Sequence, residues 1–298
     1  MHFMIIKFGR TFLSLFPFKI RYLMEWILVN RRLPRKKNPR SIKDYFFWEI
    51  FLGKINDKYV YADKLRCRDL VAQKGLANIL PKLLGVWHDA EHINFEELPE
   101  KFVLKCNHGC GLNILCNDKK TIDKEMVVSK LNSWLHLEHP IYYETHMKKI
   151  EPVIIGEEFI EDGTGFSPTD YKFHCTRGEV ICIQVVGQRH SNEPCDIAIM
   201  DIDWNNLEFV DFDIVNAQKE IEFKPYKGLP RRPKNLKSLI EYARKLSEEL
   251  NYIRIDLYDN GSSVFFGEYT LTPLGGNFWY FSKEALSFLG AKVDLVTK

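Results

Sequence analysis

Residues 251–280, NYIRIDLYDNGSSVFFGEYTLTPLGGNFWY, decide how this chain is read. Tyr252, Ile253, Ile255 and Leu257 supply the apolar and β-branched positions of one strand, Asp259-Asn260-Gly261 a turn, and Val264-Phe265-Phe266 the return strand. The pattern predicts a β-hairpin with Asp256 at the end of one strand and Glu268 at the end of the other. Two carboxylates on adjacent strands can converge on one point. Hard oxygen ligands there suit Mg²⁺, which is commonly held by one or two carboxylates together with the phosphates of a nucleotide. The competing reading is a pair of solvated strand-end charges.

Working outward, other stretches fit the same nucleotide. Leu98 to Leu104 reads as a strand closed by Lys105 and followed by Cys106-Asn107-His108-Gly109-Cys110-Gly111. A lysine at a strand end before a glycine-containing loop can set an ammonium and several backbone N–H groups against phosphate oxygens. The G-x-x-x-x-G-K-[ST] order of a Walker loop is absent. Pro152 to Gly163 is an apolar strand running into the acidic connection Glu157-Glu158-Phe159-Ile160-Glu161-Asp162. Asp170 to Phe173 opens a second hairpin that turns at Arg177-Gly178-Glu179 and returns to Gly187-Gln188-Arg189. His174 and His190 invite a reading as bases, but a lone histidine is more often a surface or satisfied core residue. Asn235 is placed to cap a helix whose Leu236, Leu239, Ile240, Ala243, Leu246 and Leu250 form one apolar stripe.

Composition sets the outer bounds. The 298 residues, 45% apolar and 28% charged, suffice for two subdomains with a substantial core. The net charge of +2 conceals an asymmetry, because residues 1–40 hold ten Lys/Arg against the single acid Glu25. Basic character is therefore local, which argues against a nucleic-acid binder. Seven cysteines favour free thiols in a reducing compartment. Cys106, His108, Cys110 and Cys116 lack the paired C-x-x-C knuckles of structural zinc sites. Asp201, Asp203, Asp211 and Asp213 lack the order of a calcium loop and read as a solvated insertion. Residues 1–30 are apolar but broken by Lys7, Arg10, Lys19, Arg21 and Glu25, too interrupted to span a bilayer or to serve as a standard signal peptide. With Arg31 to Lys37 behind them they form either an interfacial amphipathic helix or a helix packed on protein. Pro34 to Pro39 reads as a linker, Ser41 to Leu80 as helical, and Lys119 to His136 as a further helix. Lys64 and Arg68, four apart, read as a solvated face.

The order R-x-D at Arg254, a turn, then GEYT at Gly267 resembles the metal-binding end of the ATP-grasp superfamily. With GEYTLTPLGG, KFVLKCNHGCGLN and IIGEEFIED, the chain from about Ala62 to about Phe288 is most similar to the TupA-like ATP-grasp group, found among enzymes of teichuronopeptide and capsular polysaccharide synthesis. The resemblance implies an α+β ATP-grasp fold, two α+β subdomains gripping ATP, preceded by a helical N-terminal region. Its segments would be a basic amphipathic stretch (1–40), a helical pre-grasp region (41–100), a central lid subdomain (101–165) and a metal-binding subdomain (166–298). Lys105 would contact phosphate, with Asn107 to Asn113, including His108, Gly109 and Gly111, as the lid. Glu157, Glu158 and Ile160 would line the adenine hinge and Glu161 the ribose. Lys172, Arg189 and Arg254 would hold transferring phosphate, Asp170 would orient Lys172, and Asp256, Glu268 and Thr270 would bind Mg²⁺. Many ATP-grasp ligases carry Asn where Thr270 stands.

The implied chemistry is ATP-dependent joining of a carboxylate to an amine through an acyl phosphate, the carboxylate being a uronic acid of a surface polysaccharide. Such an enzyme would be cytoplasmic, with membrane-surface or assembly contacts through residues 1–37. A phosphotransferase, a glycosyltransferase or a non-catalytic nucleotide-binding assembly protein are the alternatives.

Overall fold

The computed structural model describes residues 16–137, 144–163, 167–189, 193–218 and 222–293. Helix α1 (Phe18–Asn30) lays Tyr22 and Trp26 on helix α2 (Ile42–Phe51), where Tyr22 stacks on Phe47 at 5.1 Å. Between them lies the expected linker, and it is not loose. Asp44, fully buried, accepts from the Arg32 guanidinium at 2.7 and 3.0 Å and from the backbone N–H groups of Arg35 and Arg40. One carboxylate thus wraps the basic stretch around the start of α2. Short helices α3 (Tyr59–Ala62) and α4 (Cys67–Gln73) follow, with Asp63 between them accepting from the Leu65 N–H.

The first sheet contains β1 (Leu83–Trp87), β2 (Phe102–Cys106), β3 (Asn113–Cys116) and β4 (Ile154–Glu158) in the antiparallel order β1-β4-β2-β3. Helix α5 (Lys124–Leu135) covers one face, where Val127 and Leu131 pack with Phe102, Leu104 and Ile154. Strand β1 falls inside residues 41–100, the region expected to be a helical pre-grasp segment. Five residues interrupted by Gly85 carry too short a pattern to separate strand from helix, and the pairing partner β4 lies some 70 residues further along.

The second sheet is built from β5 (Asp170–Thr176), β6 (Glu179–Gly187), β7 (Cys195–Met200), β8 (Asn206–Leu207), β9 (Phe223–Pro225), β10 (Ile253–Asp259) and β11 (Val264–Thr270). Its order is β11-β10-β5-β6-β7-β8, antiparallel throughout, with β9 added parallel to β7. Helix α6 (Phe212–Asn216) precedes β9, helix α7 (Leu236–Ser247) precedes β10, and helix α8 (Lys283–Lys292) closes the fold. The apolar stripe of α7 packs Leu239, Ala243 and Leu246 under Tyr171, Phe173 and Cys175 of β5. Asn235 stands before that helix without capping it. Its side chain instead donates to Asp259 at 2.8 Å and fastens α7 to the hairpin turn. In the acidic insertion, Asp201 accepts two backbone N–H groups in a turn and Asp211 caps α6.

Opposite α7, the sheet meets α2 and α8 through an aromatic core of Tyr45, Phe46, Tyr252, Phe278 and Phe281. Gly290 lets α8 lie against the entry to α2, since a Cβ there would sit 2.6 Å from the Ser41 carbonyl carbon. Gly290→Ala is expected to lower unfolding stability by about 2 kcal/mol, because backbone must move to admit the methyl; urea titration checks it. Among the described residues no helix is long and apolar enough to cross a membrane.

Candidate active site

Strand register assembles the charged groups. Asp256 is opposite Glu268 on β11 and opposite Lys172 on β5, and Lys172 is in turn opposite Gln184 on β6. Side chains two apart on a strand share a face, so Arg254 and Thr270 join this row from the neighbouring rung and Asp170 from the other side. The two metal-candidate carboxylates therefore lie within their strands as direct cross-strand partners, correcting the strand-end placement read from the sequence.

Asp256, almost wholly buried, receives Lys172 and both Nε and Nη2 of Arg254, the latter pair at 2.7 Å. Arg254 also reaches Glu268 at 3.5 Å. Asp170 sits 3.5 Å from the Lys172 ammonium and accepts from Arg189 at 2.5 Å. Burial opposes ionisation of Asp256, Asp170 and Glu268. The surrounding cations outweigh it, chiefly Arg254 for Asp256, Lys172 for Asp170 and Lys64 for Glu268, and all three stay below the usual carboxylate range. They are carboxylates at neutral pH.

Facing this row is the Asn107–Asn113 loop. Asn107 roots it by donating to Asp63 Oδ1 at 2.9 Å and accepting the Val153 N–H at 2.9 Å. Gly111 turns the loop at φ +72°, a backbone state that suits glycine. Lys64 bridges loop and sheet, donating to the Gly109 carbonyl at 2.7 Å and lying 3.3 Å from Glu268. On the first sheet Lys105 pairs with Glu157 at 2.6 Å, and Arg68 reaches the other oxygen of the same carboxylate at 2.8 Å.

These groups enclose a cleft in two connected parts. The main cavity, about 620 Å³, is lined by Lys105, His108, Gly109, Gly111, Lys172, Arg189, Arg254, Asp256, Glu268 and Thr270, joined by Lys64, Glu144 and Thr272. A narrower slot of about 110 Å³ shares Lys105 and Arg189 with it and is walled by Val103, Leu115, Glu157, Glu158, Phe159, Ile160 and Phe266. Glu161 is outside both, turned to solvent and paired with Lys101 at 2.7 Å. Lys64 and Arg68 are not a solvated face: both side chains lie mostly buried in ion pairs with Glu268 and Glu157. No signal in the sequence singled out Glu144 or Thr272. His190 lies outside the described residues.

His174 continues the Asp170–Lys172 face but points into the aromatic core, fully buried, with Nδ1 2.6 Å from the Tyr252 hydroxyl. Burial, reinforced by the Arg254 charge, pushes its pKa down from 6.5 to about 3. It is a neutral structural residue rather than a base. Because the folded value is the lower one, its contribution is complete above about pH 6.5 and is lost as pH falls below that. The expected cost at pH 5 is about 2 kcal/mol. Urea titrations at about pH 7.5 and about pH 5 should show that loss, and His174→Gln should flatten it.

The donor set suits a hard divalent cation. Asp256 and Glu268 present carboxylate oxygens across one rung, and Thr270 Oγ1 beside them is buried with no hydrogen-bond partner among the described residues. A buried hydroxyl in that condition is costly unless something outside the chain satisfies it.

Residues 45–294 match the family described as TupA-like ATPgrasp, five-sixths of the chain. The chain belongs to the TupA-like ATP-grasp family. Its two antiparallel sheets, with a helical region ahead of them and a cleft between, are the α+β ATP-grasp architecture that this membership entails. No curated protein sequence matches this TupA-like chain. Solved structures to which it is similar include an L-amino acid ligase from Bacillus licheniformis, at 13% identity and TM-score 0.45, over 85% of this chain and 54% of that one. Another is a D-alanine–D-alanine ligase from Bacillus anthracis complexed with ATP, at 13% identity and TM-score 0.43, over 80% of this chain and 65% of that one. A third is the ATP-grasp ligase PsnB complexed with minimal precursor, at 12% identity and TM-score 0.39, over 78% and 60%. The TupA-like chain thus spans between 54% and 65% of the length of these three.

Proposed function

We propose that this chain is an ATP-dependent carboxylate–amine ligase. The slot takes the adenine between Val103, Leu115, Phe159, Ile160 and Phe266, with the Glu157–Glu158 segment supplying polar contacts. Lys105 meets the phosphates, and the Asn107–Asn113 loop covers them. Asp256, Glu268 and Thr270 hold Mg²⁺, which would neutralise phosphate charge during transfer. Lys172, Arg189 and Arg254 draw in the substrate carboxylate and brace the γ-phosphoryl group, so that carboxylate oxygen attacks phosphorus and ADP departs. An amine then displaces phosphate from the acyl phosphate. No side-chain nucleophile is required.

The observation that carries this reading is the rung Glu268–Asp256–Lys172, which faces the same cavity as Lys105 from the other sheet. A uronic acid of a bacterial surface polysaccharide is the proposed acid, and an amino acid or amino alcohol the proposed amine. Work at the inner face of the membrane is part of the proposal. It is supported by exposed Ile20, Leu28, Val29 and Leu33 beside exposed Arg31, Arg35, Lys36 and Lys37.

The test is a coupled ADP-release screen of uronic acids against amines, with mass spectrometry of the product. A ligase releases ADP and phosphate only when acid and amine are both present. ADP release with a hydroxyl acceptor alone would indicate a phosphotransferase, sugar-nucleotide consumption without ATP a glycosyltransferase, and ATP binding without turnover an assembly protein.

A further inference from the structure

Glu157 is held from two sides. It is 6% exposed, and one carboxylate oxygen takes the Lys105 ammonium at 2.6 Å while the other takes the Arg68 guanidinium at 2.8 Å. Lys105 comes from β2 and lines both parts of the cleft, whereas Arg68 comes from α4, ahead of both sheets in the chain, and lines neither. Arg68 is also fastened elsewhere, its Nη2 donating to the Pro81 carbonyl at 2.7 Å. The wall behind the slot does not depend on that bond. Lys82 and Glu158 close it, with the Lys82 N–H donating to the Glu158 carboxylate at 2.7 Å and the Glu158 N–H to the Lys82 carbonyl at 3.0 Å. What Arg68 adds there is a fixed charge.

To meet a phosphate, Lys105 must exchange one anion for another, and the anion it leaves behind is buried. A buried carboxylate that loses its only cation is strongly destabilised, because water cannot take the cation's place. With a second cation already seated, the exchange leaves a neutral pair.

We propose that Arg68 is a positioning residue for nucleotide binding: it keeps Glu157 paired when the Lys105 ammonium turns to the nucleotide phosphates. The inference rests on the ligase reading and adds that nucleotide affinity is set in part from the region ahead of the sheets, by a side chain that does not touch the nucleotide. Arg68 is the cation that stays. A guanidinium with one arm on a carboxylate and the other on a backbone carbonyl has its donors committed in a rigid fork, whereas a lysine ammonium turns freely on its four-carbon stem.

The experiment measures MgATP affinity by isothermal titration calorimetry on the full chain, as the unsubstituted protein, Arg68→Gln, Glu157→Gln and the double variant, each first checked for a cooperative thermal transition. Arg68→Gln is expected to weaken binding by about 10²-fold, since Lys105 must then abandon a carboxylate that has no other cation. On the Glu157→Gln background there is no charge to strand, and Arg68→Gln should cost less than about 3-fold. Each comparison is made within one background, so the effect of Glu157→Gln itself drops out. Arg68→Lys keeps the cation and loses the fork to Pro81, and should bind within about 5-fold of the unsubstituted protein. Equal losses on the two backgrounds, no loss on the native one, or an Arg68→Lys as weak as Arg68→Gln would each overturn the inference and leave the ligase reading standing. If the unsubstituted protein does not bind MgATP, both fall. Should Arg68→Gln not fold, Arg68→Met, which keeps the apolar stem of the side chain, takes its place and is read in the same way.

Discussion

Asp256→Asn is expected to cut ATP-dependent turnover by about 10³-fold or more. The substitution keeps the shape and removes a charge that two cations share, Lys172 and Arg254, at a position 1% exposed. It also takes away one of the two carboxylates that face each other across the rung. Stability should suffer as well, because removing one member of a buried ion pair strands its partners, typically at about 3–5 kcal/mol. The two losses can be separated. Glu268, with a quarter of its side chain exposed, is less deeply set, so Glu268→Gln should cost less stability while losing turnover to a similar degree. Thermal unfolding and ADP release measured on both variants provide the check. If folded Asp256→Asn kept a tenth or so of its turnover, the site would have to lie elsewhere.

Arg254→Lys comes second in size. The guanidinium spans Asp256 through two donors and reaches Glu268 with one of them. Burial works against its charge, but those carboxylates outweigh burial and hold its pKa above the ordinary arginine value. A lysine keeps the charge and loses the fork, so one carboxylate is released and the geometry toward transferring phosphate relaxes. We expect kcat to fall by about 10²- to 10³-fold with the KM for ATP altered only a few-fold, since the fork acts on charge that develops during transfer. A raised KM with kcat intact would mark Arg254 as a contact to bound nucleotide alone.

Alternation of apolar and polar residues in 170–189 and 251–270 was enough to predict both hairpins. The resemblance placed Asp170 by Lys172 and Arg254 by Asp256, and the strand register sets each pair on a common face. The glycine loop after Lys105 and the apolar stripe of α7 were legible for the same reason, because each is a repeat of neighbouring residues. Where the reading went astray, the missing information was a distant partner. Lys64 and Arg68 were read as solvated because spacing says nothing of Glu268 and Glu157, which lie some 200 and 90 residues further on and draw them inward.

Sequence alone determined the two hairpins, the stripe of α7 and the family, since each is written in short-range periodicity or in a run of contiguous motifs. Tertiary structure alone decided that β10 pairs with β5, bringing Lys172 to Asp256 across 84 residues, and that Glu144 meets Thr272 across 128. Strand pairing and cavity walls are choices among distant segments, made by the burial of whole faces, and local patterning does not encode which of them wins.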